Sequence, residues 1–330
     1  MRRTVGAGLL LLLLLFLPPW LRAEETNTGG SADAPPQTEQ SVPDGSSDAA
    51  HTVRLWNGSA VETMTAAEYL PGVVRGEMPA AFEEEALKAQ AVAERTYLYY
   101  RMASAPKENH PDADVCTDSN CCTAWLSEAD ARTKWGDKFD RYEARVQQAV
   151  ADTDGQVVLY EGAPIMAVFH SSSAGATAAS GDVWTASLPY LVSVKSPEDA
   201  DSVPNYYSVN TFTAGEFRTI FCKAHPEAKL SGDTAGWIGD VTLTDAGRVA
   251  SAKVGGVSVT GKELRSLYGL RSAAFTVEAS GGSVTFRVTG YGHGVGMSQY
   301  GANALAKEGK TWREILQWYY TGVTIGLYNG

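Results

Sequence analysis

One glutamate lies where the sequence favours acid–base chemistry. Glu77 is in the segment RGEMP, after a helical pattern that starts with a capping box at Thr65 and Glu68. Pro79 restricts the residue before it, so the predicted helix ends at about Glu77. The negative field at a helix C-terminus favours a protonated carboxyl, and partial burial acts in the same direction. A glutamic acid kept protonated near neutral pH is suited to general acid catalysis.

Three further glutamates follow closely, and their position explains them without a catalytic role. Glu83, Glu84 and Glu85 lie at the start of a second predicted helix, about residues 82–102. Acidic side chains stabilise the N-terminal end of a helix dipole. Glu77 is therefore the candidate acid of this segment, and Glu85 could help to position the site.

A polar loop at about residues 104–125 carries a set of soft metal ligands. The candidate ligands are His110, Cys116, Cys121 and Cys122. A tetrahedral zinc ion would order this loop, which has no apolar core of its own. A disulfide is the alternative outside the cell. Four protein ligands leave no open coordination position, so such a zinc would be structural.

Two other segments carry polar side chains that could form hydrogen bonds with a ligand. FHSSS lies at a predicted strand end, and YGHGVGMSQYG has glycines that let the backbone approach a ligand closely. The chain lacks a G-x-S-x-G elbow, which argues against a serine hydrolase. The candidate substrate-binding residues of these segments are His170, Ser172, Ser173, His293, Ser298, Gln299 and Tyr300.

The elements that must position these residues are helical at both ends and rich in hairpins between them. A helix is predicted at about 140–152, and hairpin patterns cover about 156–173, 238–256 and 273–290. Two short helices close the chain. The pattern predicts an α+β fold in which antiparallel hairpins, flanked by N-terminal and C-terminal helices, form a groove.

The first 51 residues have the composition of a targeting segment followed by a tether. Residues 1–23 read as a signal peptide or an N-terminal membrane anchor, since the apolar run would span about 25 Å as a helix. Residues 24–51 are acidic and polar and predict a disordered tether. Either reading places residues 52–330 outside the cytoplasm. The net charge of −11 disfavours nucleic acid as a partner.

Three sequence blocks resemble the stage II sporulation protein D family, which includes amidase-enhancer-type proteins. They are YLPGVVRGEMPAAFEEEALKAQAVAERTY, FHSSSAG with the following DVW and LPYLVSVKSPED, and GYGHGVGMSQYGANALAKEGKTWREILQWYYTGV. The resemblance covers nearly all of residues 52–325. Pro71 and the Ser-Ser-Ala-Gly at 172–175 depart from the usual family pattern, and neither touches the Glu77 motif.

The resemblance implies a membrane-anchored peptidoglycan lytic transglycosylase that acts in engulfment during endospore formation. It further implies glycan strands as substrate, with a partner cell-wall amidase and a membrane protein of the engulfment complex. Glu77 matches the family's catalytic glutamate, and Arg95 matches a groove arginine that could bind the lactyl carboxylate of peptide-free muramic acid. Some members carry a metal site in the insertion, with a histidine where this chain has Cys121.

One carboxyl is sufficient for this chemistry. Glycosidases usually need two, but in a lytic transglycosylase the sugar's own 6-hydroxyl attacks and closes a 1,6-anhydro ring. Such intramolecular attack can contribute about 7–11 kcal/mol through effective molarity. Two alternatives stay open: a glycan-binding module that activates an amidase without cutting sugar, and a zinc hydrolase, which the use of all four ligands disfavours.

Overall fold

Helices alternate with short strands along residues 48–328, the part of the chain that the computed structural model describes. The helices are α1 (Ala66–Glu77), α2 (Glu84–Met102), α3 (Glu128–Trp135), α4 (Phe139–Ala151), α5 (Ser180–Val183), α6 (Ala214–Ala224), α7 (Gly261–Tyr268), α8 (Gln299–Lys307) and α9 (Trp312–Tyr319). The strands are β1 (Thr52–Trp56), β2 (Val61–Thr65), β3 (Val115–Cys116), β4 (Gln156–Tyr160), β5 (Ala163–Pro164), β6 (Phe169–His170), β7 (Tyr207–Thr213), β8 (Ile238–Leu243), β9 (Val249–Val254), β10 (Val257–Thr260), β11 (Phe275–Ser280), β12 (Ser283–Thr289), β13 (Met297–Ser298) and β14 (Thr324–Leu327). This mixture confirms the predicted α+β class.

Helix α2 is the centre of the first of two hydrophobic clusters. It packs against α1, α4, α8, α9 and strand β4. Its alanines Ala86, Ala89, Ala91 and Ala93 are fully buried. Because alanine side chains are small, neighbouring helices can approach α2 closely on several sides. The N-terminal and C-terminal helices are thereby joined in one core.

The second cluster is built from antiparallel sheets covered by α6 and α7. One sheet has the order β11-β12-β7 and the other β10-β9-β8. The hairpins predicted around β4–β5, β8–β9 and β11–β12 are present. Gly281 and Gly282 both have positive φ at the β11–β12 turn, as a tight hairpin requires. The sequence reading missed the β1–β2 hairpin, strand β7 and helix α6.

Helix α1 begins and ends as its sequence predicts. Thr65 and Glu68 form the full capping box, and Glu77 is the last helical residue. Pro71 lies inside the helix, where it removes one backbone hydrogen bond without ending the helix. The amphipathic face of α1 packs into the first core. The carboxyl of Glu77 is therefore attached to a rigid element.

Two glycines of α1 allow the loop after the cysteines to lie directly on the helix. A Cβ at Gly72 would be 2.1 Å from the Trp125 indole nitrogen, and one at Gly76 would be 2.4 Å from the Ala124 carbonyl oxygen. The loop is held there because Trp125 Nε1 donates to the Tyr69 carbonyl at 3.2 Å. Any larger residue at either glycine would push the loop away from the end of α1.

Arg95 lies inside this core rather than in a groove. Its side chain is fully buried and donates to both carboxylate oxygens of Asp48 at 2.7 Å. It also donates to the carbonyls of Val150 and Gln156. The expected groove position of Arg95 is wrong, because the guanidinium joins α2 and α4 to the segment before β1.

The N-terminal expectations fall mostly outside the described residues. Residues 1–23 and nearly all of the predicted tether, residues 24–51, lie there. Asp48–Ala50 instead form a short 3-10 helix, and Asp48 is buried, so the tether assignment extended too far. Among residues 48–328, no helix has the length and apolar content needed to cross a membrane.

Replacement of Asp48 by asparagine should destabilise the protein strongly. The substitution leaves the buried guanidinium of Arg95 without its counter-charge, and loss of one partner of a buried pair costs about 3–5 kcal/mol. The free energy of unfolding, measured in urea, should fall by that amount. Glu128→Gln is the matched control, because Glu128 pairs with Arg132 on the exposed surface at 3.2 Å. That control should change stability by about 0–1 kcal/mol, and equal effects of both variants would contradict the prediction.

Candidate functional site

A pocket of about 490 Å³ lies at the C-terminal end of α1. The loop after the cysteines, the segment around β6 and the glycine-rich loop before β13 form its walls, with one residue from α7. It brings together residues that are far apart in sequence. The lining residues are Glu77, Tyr97, Ser119, Cys122, Thr123, Ala124, Ala167, Val168, Phe169, His170, Ser171, Arg265, Tyr291, Gly292, His293 and Gln299.

Glu77 presents a partly buried carboxyl to this pocket. Burial raises its pKa above the ordinary value of 4.5, and a hydrogen bond from the Ala124 amide opposes that rise in part. The Ala124 nitrogen lies 2.5 Å from Glu77 Oε1. The Gln299 side chain donates to the backbone carbonyl of Glu77 at 3.1 Å. The loop thus holds the carboxyl of Glu77, and the start of α8 holds the backbone of the same residue.

A second carboxyl, Glu94, lies close to Glu77 and was missed by the sequence reading. It is 1% exposed and accepts a hydrogen bond from Gln90 at 3.0 Å. Burial, and secondly the negative charge of Glu77, raise the pKa of Glu94 well above its ordinary range. Burial and the neighbouring Glu77 therefore both disfavour a negative charge on Glu94. The alanine-rich sequence around Glu94 gives no local sign of this pairing.

Two neutral histidines form the opposite wall. Burial, followed by the charges of Arg265 and Arg248, lowers the pKa of His293 to about 4. Burial, and then His293, lowers the pKa of His170 well below the ordinary histidine value. The two rings are 5.7 Å apart between centroids. Near neutral pH both imidazoles therefore act as uncharged hydrogen-bonding groups.

The three candidate serines are buried behind the wall rather than exposed in the pocket. Ser172, Ser173 and Ser298 are each at most 1% exposed. Ser173 Oγ lies 2.7 Å from His170 Nε2 and so helps to orient that ring. The buried carboxylate of Glu198 accepts from the Ser173 amide at 2.6 Å and from the Ser298 hydroxyl. The Ser173 and Ser298 hydroxyls thus hold the wall together, whereas the buried Ser172 hydroxyl has no hydrogen-bond partner within residues 48–328. None of the three hydroxyls is exposed for the expected contact with sugar.

Two other expected residues also lie away from the pocket. Arg95 is enclosed in the core with Asp48, as described above. The Tyr300 ring packs edge-on against Phe82, with 4.9 Å between centroids. The structure brings Glu77, His170, His293 and Gln299 to one pocket, and their roles in binding or catalysis stay predictions. Arg265 lines the same pocket, although no local motif marks it in the sequence.

The four candidate metal ligands lie beside the pocket and close together. Their ligand atoms are all within 4.8 Å of one another. The Cys121 and Cys122 sulfurs are 3.8 Å apart, and His110 Nε2 lies 3.4 and 3.5 Å from them. Lys107 Nζ is 3.6 and 3.5 Å from the same two sulfurs, and its charge is one cause that lowers the pKa of Cys121. This group could bind a metal ion.

The arrangement also fixes the ligands individually. His110 Nδ1 is 3.2 Å from the carbonyl oxygen of Ala113, and this contact orients the ring so that Nε2 faces the two sulfurs. Burial raises the pKa of the Cys121 thiol, but hydrogen bonds, led by that from Asn109, bring it down to about 7. Both features suit a site in which histidine nitrogen and cysteine sulfur hold one ion.

Comparison with known proteins assigns the family. A family model described as "Stage II sporulation protein" matches residues 57–160. The stage II sporulation protein D of Bacillus subtilis (strain 168) is 40% identical over 267 residues, which cover 81% of this chain and 76% of that protein. The chain belongs to the stage II sporulation protein D family.

Other relatives agree with this assignment. The stage II sporulation protein D of Bacillus amyloliquefaciens is 38% identical over 269 residues, covering 81% of this chain and 75% of that protein. A Bacillus subtilis protein named amidase enhancer is 29% identical over 308 residues, which cover 78% of this chain and 40% of its own length. The segment of this stage II sporulation protein D family member that matches the family model contains Glu77 and the four candidate metal ligands.

The pKa of Glu77 should be measurably high in the folded protein. In a ¹³C NMR titration of the side-chain carboxyls, the midpoint of Glu77 should lie above 4.5, since burial disfavours the carboxylate. Glu68 is the matched control on the same helix. Its exposed carboxylate accepts hydrogen bonds from Thr65, which lower its pKa. A Glu77 midpoint at or below that of Glu68 would show that burial does not control the site.

Proposed function

We propose that this protein is a lytic transglycosylase that cleaves peptidoglycan glycan strands with Glu77 as its acid and base. The observation that carries the proposal is the position of the Glu77 carboxyl. It is partly buried, has a raised pKa, and opens into a pocket walled by neutral hydrogen-bonding groups. A general acid needs a carboxyl that holds its proton near the working pH, and such a pocket leaves room for a sugar chain.

The proposed reaction needs only one carboxyl. Protonated Glu77 donates its proton to the glycosidic oxygen while the bond from that oxygen to C1 of muramic acid breaks. The 6-hydroxyl of the same sugar then forms a bond to C1, and the Glu77 carboxylate accepts the hydroxyl proton. The products are a strand with a 1,6-anhydro end and a strand with a free 4-hydroxyl. Glu77 is returned to its protonated state, so no water or cofactor is consumed.

The surrounding residues support the two roles of Glu77. The Ala124 amide can hold the carboxylate that forms after the first proton transfer. Burial raises the pKa of Glu94 well above its ordinary range, so a second negative charge beside ionised Glu77 is disfavoured. His293 and Gln299 supply polar groups for sugar hydroxyls at the pocket wall. Intramolecular attack depends on alignment within about 1 Å, which requires such groups on several sides.

The biological setting follows from the family and belongs to the same proposal. The protein would thin the septal wall during engulfment in endospore formation, acting on strands from which an amidase has removed the stem peptides. A membrane protein of the engulfment complex is a further partner. Residues 1–23 would anchor it outside the cytoplasm in the mother-cell membrane, and a cleaved signal with secretion is the alternative.

A second function is favoured by one relative. The protein named amidase enhancer is 29% identical to this chain, and its name describes an effect on another enzyme. In this alternative the pocket binds glycan without cutting it and thereby activates a cell-wall amidase. The reaction products distinguish the two functions, because only a transglycosylase creates anhydro ends.

We further propose that the His110 group holds one structural zinc ion. Zinc bonds of about 2.3 Å to sulfur and 2.0–2.1 Å to nitrogen, in a tetrahedron, place two sulfurs about 3.8 Å apart. The Cys121 and Cys122 sulfurs have that spacing, whereas a disulfide requires about 2.05 Å. Three thiolates and one imidazole suit zinc and fill its coordination. The ion would order the loop that delivers the Ala124 amide to Glu77.

Replacement of Glu77 by glutamine should abolish strand cleavage and leave glycan binding intact. The amide has the shape of the acid but cannot give a proton, so the rate should fall by at least about 100-fold. Anhydro-ended products of purified, peptide-free strands are counted by mass spectrometry. Glu84→Gln is the control, because Glu84 lies on the exposed start of α2 and its one ion pair within residues 48–328 is with Lys88.

That assay has outcomes that decide against the acid role. Residual Glu77→Gln activity above about a tenth of wild type exceeds what loss of a general acid allows. If the wild type forms no anhydro ends but accelerates a purified amidase, and Glu77→Gln does the same, the binding alternative is correct.

Metal analysis should find about one zinc per chain when the protein is purified without a chelator. Cys121→Ser should reduce that content strongly, because serine is a poor zinc ligand. Cys222→Ser is the control, since Cys222 lies outside the ligand group. Absence of metal, together with loop cysteines that resist alkylation until a reductant is added, would establish the disulfide instead.

A further inference from the structure

Two arginines meet behind the glycine-rich loop without an acidic partner. Arg248 and Arg265 are near enough for each charge to act on the other, and burial followed by Arg265 lowers the pKa of Arg248 to about 10. Within residues 48–328, no carboxylate lies within 4.0 Å of either guanidinium. Buried charges are almost always paired, so this arrangement needs an explanation.

The side chain of Arg248 packs against the loop that carries His293. It is 4% exposed, and its Nη2 donates to the carbonyl of Gly292 at 3.3 Å. A Cβ at Gly294 would be 2.5 Å from Arg248 Nη1. Glycine at this position, with φ of 85°, therefore lets the loop lie flat on the guanidinium. The charge is fixed in place rather than left to rotate in solvent.

Arg265 extends from α7 to the pocket that contains Glu77. Its Nε donates to the carbonyl of Leu270 at 3.3 Å, which orients the guanidinium. In the described part of the chain, neither terminal nitrogen of Arg265 has a protein acceptor. Burial is the first cause of its lowered pKa. Of the residues that line the pocket, Arg265 is the one with a permanent positive charge.

The neighbouring charges do not neutralise this pair. A small cavity of about 30 Å³ adjoins the two arginines and is also lined by Lys262 and Asp182. Asp182 is exposed and forms no ion pair within residues 48–328, and Lys262 donates to the carbonyl of Val183. The region is therefore positive on balance, which favours an anionic ligand group.

We propose that Arg265, supported by Arg248, binds a carboxylate of the substrate, namely the lactyl carboxylate of muramic acid that has lost its stem peptide. This inference rests on the proposed function and gives that pocket its specificity. A guanidinium held by Nε presents its two terminal nitrogens as a fork that matches a carboxylate. Arg265 thus takes the role expected from the sequence for Arg95. In strands that carry stem peptides the same group is an uncharged amide.

Binding measurements on three strand preparations test this assignment without requiring cleavage. Glu77→Gln protein is titrated calorimetrically with stripped strands, with stripped strands whose lactyl carboxylates are converted to methylamides, and with strands that keep their stem peptides. Stripped strands should bind about 10- to 100-fold more tightly than either other preparation. The peptide-bearing strands separate the two carboxylate sources, because they carry carboxylates only on the peptide.

The same titrations with Arg265→Gln and Arg265→Lys test whether Arg265 causes the preference for stripped strands. In the Glu77→Gln background, Arg265→Gln should weaken binding of stripped strands by about 10- to 100-fold and leave the methylamide strands unaffected. Arg265→Lys should recover part of the loss, because it keeps the charge without the fork. Arg287→Ala removes an exposed arginine of β12 and is the control, with no expected change.

Each outcome decides the matter. Equal binding of stripped and methylamide strands overturns the proposal. So does an unchanged preference for stripped strands when Arg265→Gln is added to the Glu77→Gln background. Tight binding of peptide-bearing strands would assign Arg265 to a stem-peptide carboxylate and also overturn it. If the wild type shows the preference but forms no anhydro ends, the carboxylate site stands and the transglycosylase function fails. Circular dichroism of both Arg265 variants confirms that they are folded.

Discussion

The hydrogen bond from the Ala124 amide to the Glu77 carboxyl is the contact on which the candidate site depends. It exists because Gly76 lets the loop touch the end of α1, where any Cβ would meet the Ala124 carbonyl. The loop reaches that position two residues after Cys122, the last of the metal-binding group. The candidate metal ligands, the packing of α1 and the carboxyl of Glu77 are therefore connected through a short stretch of backbone.

Burial sets the electrostatic character of the whole pocket. It raises the pKa of Glu77 and Glu94 and lowers that of His170 and His293, so each group tends toward its neutral form. A pocket of neutral donors and acceptors suits an uncharged polymer such as a sugar chain. Arg265 is the exception, because a guanidinium keeps its proton even when partly buried. It is consequently the group best able to recognise charge on the substrate.

Local sequence was sufficient wherever the physical cause was local. The capping box at Thr65, the helix end at Glu77 and the Gly-Gly hairpin turn all depend on neighbours within a few residues. The clustering of His110 with the three loop cysteines was also predictable, because these residues lie in one loop. Strand β7 was missed since its side chains alternate between exposed and half-buried positions, which weakens the apolar pattern. Residue type and spacing thus determined the candidate acid and the ligand set.

Only the tertiary structure decided which polar side chains reach the pocket. Arg95 follows Glu77 on the next helix of the chain, yet helix packing directs it to Asp48 in the core. Ser173 and Ser298 are drawn inward by the buried carboxylate of Glu198. Arg265 reaches the pocket from a helix of the second cluster. The sequence therefore determined what chemistry is available, and long-range packing decided which groups share a site, because burial and charge pairing depend on residues far apart in the chain.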